Sequence, residues 1–167
     1  IETKGNRTTG IRIKEKVIFS DLIVSNADVY FTYLNLLKQP QKAKKVLNQQ
    51  RSTSALIFYW GIKKEFKNLD LHNILFSEDY ENEFDCLQKG KISNDPTVYI
   101  NITSKLNKSD APKGAENWFV MINVPSNDGQ NWDLLIEKSR KNIITKINRM
   151  LNNNIQELIE VEHVLEP

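Results

Sequence analysis

The sequence predicts an α+β domain in which a mixed, mostly antiparallel sheet is covered by helices on one face. Three observations support this class. Two segments, Thr97–Ile102 and Trp118–Val124, alternate apolar and polar or aromatic residues with the period of a strand. One long segment, from Ile136 to Leu151, carries a single apolar stripe at helical spacing. The 167 residues, 40% hydrophobic and 26% charged, suffice for one core.

The N-terminal part predicts a small β-meander followed by a short helix. Residues 10–13 and 17–24 are β-branched segments separated by charges, as in short paired strands. Asp28 is a predicted N-cap. The apolar residues behind it share one helical face, and Pro40 ends that helix. These residues are Tyr30, Phe31, Leu34 and Leu37.

A second helix is predicted from Gln41 to Gln50, with Pro40 in its first turn. Its apolar stripe is narrow, and three lysines surround it, namely Lys42, Lys44 and Lys45. A basic helix of this kind is a candidate for contact with a membrane surface, but a solvated face is the simpler interpretation.

The middle of the chain predicts the central sheet. Ser54–Ile62 is an apolar and aromatic run of strand length, and it is the predicted central strand. Asn73–Ser77 is a second strand, and a helix follows, capped by Ser77 or Asp79 and ended by Gly90. Segments 97–102 and 118–124 are expected to pair antiparallel, and their long polar connection is a candidate flap.

The C-terminal part predicts the long helix and one final strand. Asp133 and Glu137 near the start of the helix and Arg149 near its end suit the helix dipole. The Asn152–Asn154 tract is expected to end it, since short amides tolerate left-handed backbone. The last strand is predicted over Ile159–Leu165.

The central strand raises the question of a binding surface. Leu56, Phe58 and Trp60 share one of its faces, while Ile57 and Tyr59 share the other, so both faces are apolar. If helices cover one face, the second is a candidate floor for a hydrophobic ligand. The simpler interpretation is that both faces belong to the core.

Several function classes are disfavoured by composition. The net charge of +2 is too small and too evenly spread to predict nucleic-acid binding. No apolar run has the length of a membrane span. The single Cys86 favours a reducing compartment, and no metal-ligand spacing occurs. His72 and His163 are interpreted as structural residues.

Five segments, taken in order, resemble the phytoene desaturase family of carotenoid-modifying enzymes. They are Ser25–Asp28, Ser52–Gly61, His72–Phe84 (HNILFSEDYENEF), Asp95–Tyr99 (DPTVY) and Asp110–Asn117 (DAPKGAEN). The resemblance runs from about residue 10 to the end of the chain. The segment WFVMINVPSNDGQNW, which starts at Trp118, is similar to desaturases of the Bacteroidetes type.

The resemblance implies part of an FAD-dependent oxidoreductase that removes hydrogens from a long polyene. Residues 1–28 would be a strip of the flavin domain, 29–160 the substrate-binding domain, and 161–167 the start of the return to the flavin domain. The family's GxGxxG fingerprint does not occur, so FAD is expected to bind mainly to parts outside this chain. The chain is expected to be an inactive central fragment. A cytoplasmic location with peripheral contact at the inner face of a bacterial membrane is also implied.

The same resemblance implies the candidate site residues. Ser25, Asn26, Ala27 and Asp28 are the candidates nearest the flavin, and an ordinary N-cap at Asp28 is an equal alternative. The candidate substrate contacts are Phe58, Trp60, Tyr99, Asn101, Phe119, Met121 and Asn123. No catalytic residue and no metal ligand is assigned.

Two other functions remain open from the sequence. One is a different flavin enzyme on the same plan, such as an amine oxidase or a carotenoid isomerase, whose pocket lining would differ. The other is a binding module without catalytic activity, if the chain is complete as given.

Overall fold

A computed structural model describes residues 1–49 and 52–167, so Gln50, the predicted end of the basic helix, lies outside the described residues. The fold is α+β, as predicted. Residue contacts divide the chain into two compact units, Ile1–Arg51 and Ser52–Pro167. The predicted domain boundaries at residues 28 and 160 stay a prediction.

The N-terminal unit contains the predicted meander as a three-stranded antiparallel sheet. Its strands are β1 (Glu2–Lys4), β2 (Arg7–Ile13) and β3 (Lys16–Phe19). The sequence does not predict β1, because a strand of three residues is too short to show a periodic pattern. Residues 22–24 are not part of a strand, contrary to the prediction, because pairing ends where the Ser20 N–H donates to the Thr9 carbonyl.

The helices of this unit are short. Helix α1 (Val29–Phe31) continues directly as a five-residue π-helix, Thr32–Leu36, and α2 covers Pro40–Leu47. The Asp28 carboxylate accepts hydrogen bonds from the backbone N–H groups of Tyr30 and Phe31, so the predicted N-cap is confirmed.

The C-terminal unit is built on a five-stranded sheet in the order β5-β6-β7-β4-β8, and all of its neighbours are antiparallel. The predicted β6–β7 pairing is confirmed. β4 is an interior strand, as the prediction of a central strand requires, but the middle position of the five is taken by β7. The predicted second strand begins one residue earlier and ends two residues earlier than expected. The strands are β4 (Ser54–Ile62), β5 (His72–Leu75), β6 (Val98–Asn101), β7 (Glu116–Val124) and β8 (Ile159–Leu165).

Two α-helices belong to this unit. Helix α3 (Tyr80–Gln88) is capped by Asp79, whose carboxylate accepts from the Asn82 N–H. Helix α4 (Trp132–Leu151) ends at Asn152, which adopts φ +49°, the left-handed conformation expected of an amide residue there. Single 3-10 turns lie at Thr103–Lys105, Lys108–Asp110 and Ile155–Glu157.

The core lies between one face of this sheet and α4. In β4, β6 and β7 the even-numbered side chains point to that face and are buried. Trp60 and Trp118 face each other in register across β4 and β7, and Ile143 and Ile147 of α4 are fully buried in the same cluster. We call this side of the sheet the core face.

Candidate functional site

The opposite side of the five-stranded sheet carries the odd-numbered side chains of β4, β6, β7 and β8 and the even-numbered side chains of β5, and we call it the open face. Its residues are half-buried or exposed, whereas their even-numbered neighbours on β4 and β7 are buried almost without exception. The half-burial comes from neighbouring side chains on the same face. The open face is therefore accessible within this unit.

Strand register arranges the open face in rows that run across the strands. The first complete row is apolar or aromatic in all five strands. The second is aromatic in the middle and has a histidine at each end. The first row is Ile74, Tyr99, Met121, Ile57 and Leu165, and the second is His72, Asn101, Phe119, Tyr59 and His163.

Aromatic contacts connect the rows. The ring of Phe119 lies 5.6 Å from that of Tyr59 and 6.2 Å from that of Tyr99, both near edge to face. The imidazole of His163 lies 6.2 Å from the Tyr59 ring. Such pairs prefer these tilted arrangements and hold the rings in place. A continuous aromatic band thus crosses the sheet from β6 to β8.

A polar cluster lies at the β5 side of this band. The Nδ1 atom of His72 is 2.7 Å from the Tyr99 hydroxyl and 3.1 Å from the Asn101 side-chain nitrogen, which also donates to the Leu71 carbonyl. The imidazole of His72 stacks on the Tyr99 ring at 6.0 Å. The cluster fixes the Tyr99 ring, so this part of the face is preorganised.

The predicted substrate residues fall on both faces of the sheet. Tyr99, Asn101, Phe119, Met121 and Asn123 lie on the open face. Phe58 and Trp60 lie on the core face, 0% and 2% exposed. Both faces of β4 are aromatic, and a period of two does not tell which one a helix covers.

Other open-face residues were not predicted as site residues. The alternation along β4 places Ile57 and Tyr59 on one shared face, and this is the sequence signal by which they could have been found. The remaining open-face residues lie on the edge strands. Local sequence patterns do not show that β5 pairs with β6 and that β8 pairs with β4, so these residues could not be assigned to the face. These edge residues are His72, Ile74, Val161, His163 and Leu165.

No carboxylate, lysine or arginine lies in the two complete rows of the open face, and Glu160, at the irregularity of β8, lies beyond them. The charged groups are on the helix side. Glu116, only 3% exposed, accepts from the Phe66 N–H and the Trp118 indole N–H, and pairs with Lys105 at 2.6 Å. The open face is thus chemically suited to an uncharged, apolar molecule.

A second ion pair joins α4 to the loop before β6. Lys146, 5% exposed, donates to the Phe76 and Pro96 carbonyls and lies 2.8 Å from Asp95. Burial by itself raises the pKa of Asp95. The hydrogen bonds that Asp95 accepts from Lys146 and the Glu78 N–H lower the pKa, and so do the positive charges of Lys146 and Arg149. Together they outweigh burial, so the pKa lies below its ordinary value.

Residues 25–28 do not form a dinucleotide cradle. The Asp28 carboxylate occupies the N–H groups at the start of α1, where a phosphate would otherwise bind, and it repels a second anion. The Ser25 hydroxyl is 2.8 Å from that of Thr32. The six glycines lack the GxGxxG spacing, so the described residues do not fit FAD as its principal binding site.

Residues 1–49 and 52–167 contain neither a metal-binding cluster nor a membrane-spanning helix. No group of three or more histidine, cysteine, aspartate or glutamate side chains is placed to hold a metal ion. No helix in those ranges combines the length and the apolarity needed to cross a bilayer.

The chain is similar over its whole length to enzymes that modify carotenoids. It is 54% identical over 168 residues to a 1-hydroxycarotenoid 3,4-desaturase of Flavobacterium sp. The aligned region covers all of this chain and 34% of that protein. It is 29% identical to phytoene desaturase of Phycomyces blakesleeanus, with 99% of this chain and 30% of that protein covered. A zeta-carotene-forming phytoene desaturase of Myxococcus xanthus is also 29% identical, with 97% and 32% covered. No family model matches.

All three relatives are oxidoreductases of the desaturase type. The chain belongs to the carotenoid desaturase family, and it spans about a third of the length of the curated relatives it matches.

Proposed function

We propose that this chain is the substrate-binding portion of an FAD-dependent carotenoid desaturase, in which the open face holds a long polyene during dehydrogenation. The observation that carries the proposal is the absence of charge from the two complete rows of the open face, combined with their continuous aromatic band. The family membership supplies the substrate class.

The dimensions of the face suit an extended chain. β4 and β7 have nine residues each, so at about 3.4 Å per residue the open face is roughly 27 Å long in the direction of these strands. A polyene lying along β4 and β7 can bury apolar surface against the half-buried side chains of both strands at about 25 cal/mol per Å². The aromatic rings offer flat surfaces to a flat conjugated molecule.

In this proposal the chain positions the substrate, and the flavin supplies the redox chemistry by accepting a hydride when it is bound. The residues present do not form its cradle, so FAD would be held mainly by parts of the longer enzyme outside this chain. Contact of Ser25–Asp28 with the flavin remains part of the proposal, as does peripheral contact with the inner face of a bacterial membrane that dissolves the substrate.

The test uses the full-length parent enzyme and the substitution Met121→Glu, which places a charge at the centre of the first row. We expect turnover of an acyclic polyene to fall about 100-fold, because the carboxylate must be desolvated under an apolar substrate. Absorption spectra and chromatography of the products measure it. A product with added double bonds identifies a desaturase, whereas an isomerase leaves the molecular formula unchanged.

Leu134→Glu is the matched control, since Leu134 lies on α4 and is 63% exposed. It makes the same chemical change away from the open face and should leave turnover unchanged. A folded Met121→Glu enzyme with turnover like that of Leu134→Glu would contradict the proposed role of the open face. A parent enzyme without flavin absorbance, or without any action on polyenes, would contradict the proposed function itself.

A further inference from the structure

A cavity of about 170 Å³ lies at one end of the open face, within the C-terminal unit. It is located where β4, β7 and β8 reach the loop that precedes β7. A cavity of similar size, roughly 150 Å³, takes up benzene when its lining is apolar. Its lining includes Gly61, Ala111, Pro112, Ala115, Asn117 and Val161.

The cavity owes its space to Gly61. Asn117 of β7 and Val161 of β8 flank this glycine in register. A Cβ atom on Gly61 would lie 3.4 Å from the Cβ of Val161, an ordinary contact, so a longer side chain would extend into the cavity. The β4–β8 register shifts between Gly61 and Ile62, and such irregularities are frequent beside functional sites.

Asn117 borders the cavity, but its polar atoms are directed elsewhere. Its side-chain nitrogen donates to the Thr103 hydroxyl at 2.7 Å, and its side-chain oxygen accepts from the Ser104 N–H at 2.9 Å. Neither atom needs a hydrogen-bond partner from a ligand, so the side chain lines the cavity without favouring a polar ligand.

The acidic residues of the lining are paired in the same way. Asp110 accepts from the Thr103 hydroxyl at 2.5 Å and the Asn107 amide at 2.6 Å. Glu116 binds Phe66, Trp118 and Lys105 on the core face. Glu160, whose side chain is exposed, is the remaining acidic residue of the lining. The surface of the cavity that a bound molecule would contact is mainly apolar.

We propose that this cavity receives the branched end of the polyene and acts as its end stop. This inference rests on the proposed function. The cavity continues the open face beyond Tyr59 and Phe119, so a chain lying along β4 and β7 would enter it with its terminal methyl-bearing unit. The depth of entry would then set which carbon atoms lie over the reacting region of the face.

The test is Gly61→Leu in the full-length parent enzyme, because leucine fills the cavity from β4. Two substrates are compared, namely a full-length acyclic polyene and one shortened by an isoprene unit at each end. We expect kcat/KM for the full-length substrate to fall about ten-fold more than for the shortened one, the discrimination usual for a filled apolar pocket. The position of the new double bonds should also shift.

Leu134→Trp is the matched control. Leu134 lies on α4, away from the open face, and is 63% exposed. This variant adds a bulky apolar side chain outside the cavity and should leave the ratio of the two kcat/KM values unchanged. Val161→Trp fills the same cavity from an edge strand at a side chain that is 67% exposed, and it decides the question if Gly61→Leu does not fold.

The outcomes separate the two proposals. A cavity-filling variant that lowers kcat/KM equally for both substrates, or leaves the ratio at the wild-type value, would overturn the end stop. A wild-type parent that converts neither substrate would instead contradict the proposed function, whatever the variants do.

Discussion

The two faces of the five-stranded sheet differ although the same strands build both. Along β7, Trp118, Val120 and Ile122 are at most 1% exposed, while the alternating Phe119 and Met121 are only half-buried. Both sets are large and apolar. The difference lies in the cover, since α4 packs on one side only, and it shows that hydrophobic character alone does not make a residue part of the core.

Charge follows the same division. The core face contains carboxylates and ammonium groups, and each is held by several partners, as Glu116 and Lys105 show. The two complete rows of the open face contain none. A face kept free of charge without being buried is expected where an apolar molecule comes and goes.

The largest expected effect contrasts Trp118→Ala with Phe119→Ala. The core-face change leaves a cavity under α4 and should lower the free energy of unfolding by about 3 to 5 kcal/mol. The open-face change should cost about 1 kcal/mol, since the ring is partly solvated and loses mainly its aromatic contacts. Urea unfolding of the chain measures both, followed by tryptophan fluorescence.

The three tryptophans, at positions 60, 118 and 132, all lie in the C-terminal unit, so this signal reports on the five-stranded sheet. In the full-length enzyme the order of the effects should reverse for turnover per folded molecule, with Phe119→Ala the more damaging variant. Equal destabilisation by the two changes would remove the distinction between the faces.

The second effect concerns the buried ion pair. Glu116→Gln leaves Lys105 without its carboxylate partner at a site where its side chain is 15% exposed, and the free energy of unfolding should fall by about 3 kcal/mol. The hydrogen bond from the Trp118 indole is weakened as well, because an amide nitrogen does not accept it. Urea unfolding again gives the value.

Asp85→Asn is the control for charge removal alone. Asp85 and Lys89 form an exposed pair at 3.9 Å along α3, and its loss should change stability by less than about 1 kcal/mol. If Glu116→Gln proved as mild as Asp85→Asn, the buried pair would contribute nothing beyond a surface contact.

The smallest effect is the pH dependence at Asp95. Its pKa is lowered in the folded state, so its contribution to stability is complete above the ordinary carboxyl pKa of about 3.9 and disappears as pH falls through the lowered pKa. The stability difference between wild type and Asp95→Asn should therefore shrink on acidification from neutral pH. A difference independent of pH would contradict the ion pair with Lys146.

Sequence patterns predicted the sheet well where strands are long. β4 and β7 have nine residues each, and their alternation specifies both strands and both faces. It does not specify which face α4 covers, and for that reason the sequence prediction includes Phe58 and Trp60 among the substrate contacts. The cover depends on the path of the chain after β7, which no local pattern contains.

The edges of the open face show a different limit. His72 and His163 are 91 positions apart, and the local sequence around each indicates a structural residue. The five-strand order places them at opposite ends of one row. The cavity beside Gly61 likewise depends on three strands and a loop meeting. Such sites follow from topology, whereas residue type gives no indication of them.

The register of Trp60 and Trp118 has an optical consequence for ligand binding. Both indoles lie on the core face of a sheet that is a single layer thick, so a guest on the open face would be within roughly 10 Å of them. A polyene absorbing in the near ultraviolet would take up their excitation by resonance energy transfer. The sheet thus prevents contact between the indoles and a bound molecule but leaves them close enough for energy transfer. Binding of a polyene to the open face would therefore lower the tryptophan fluorescence.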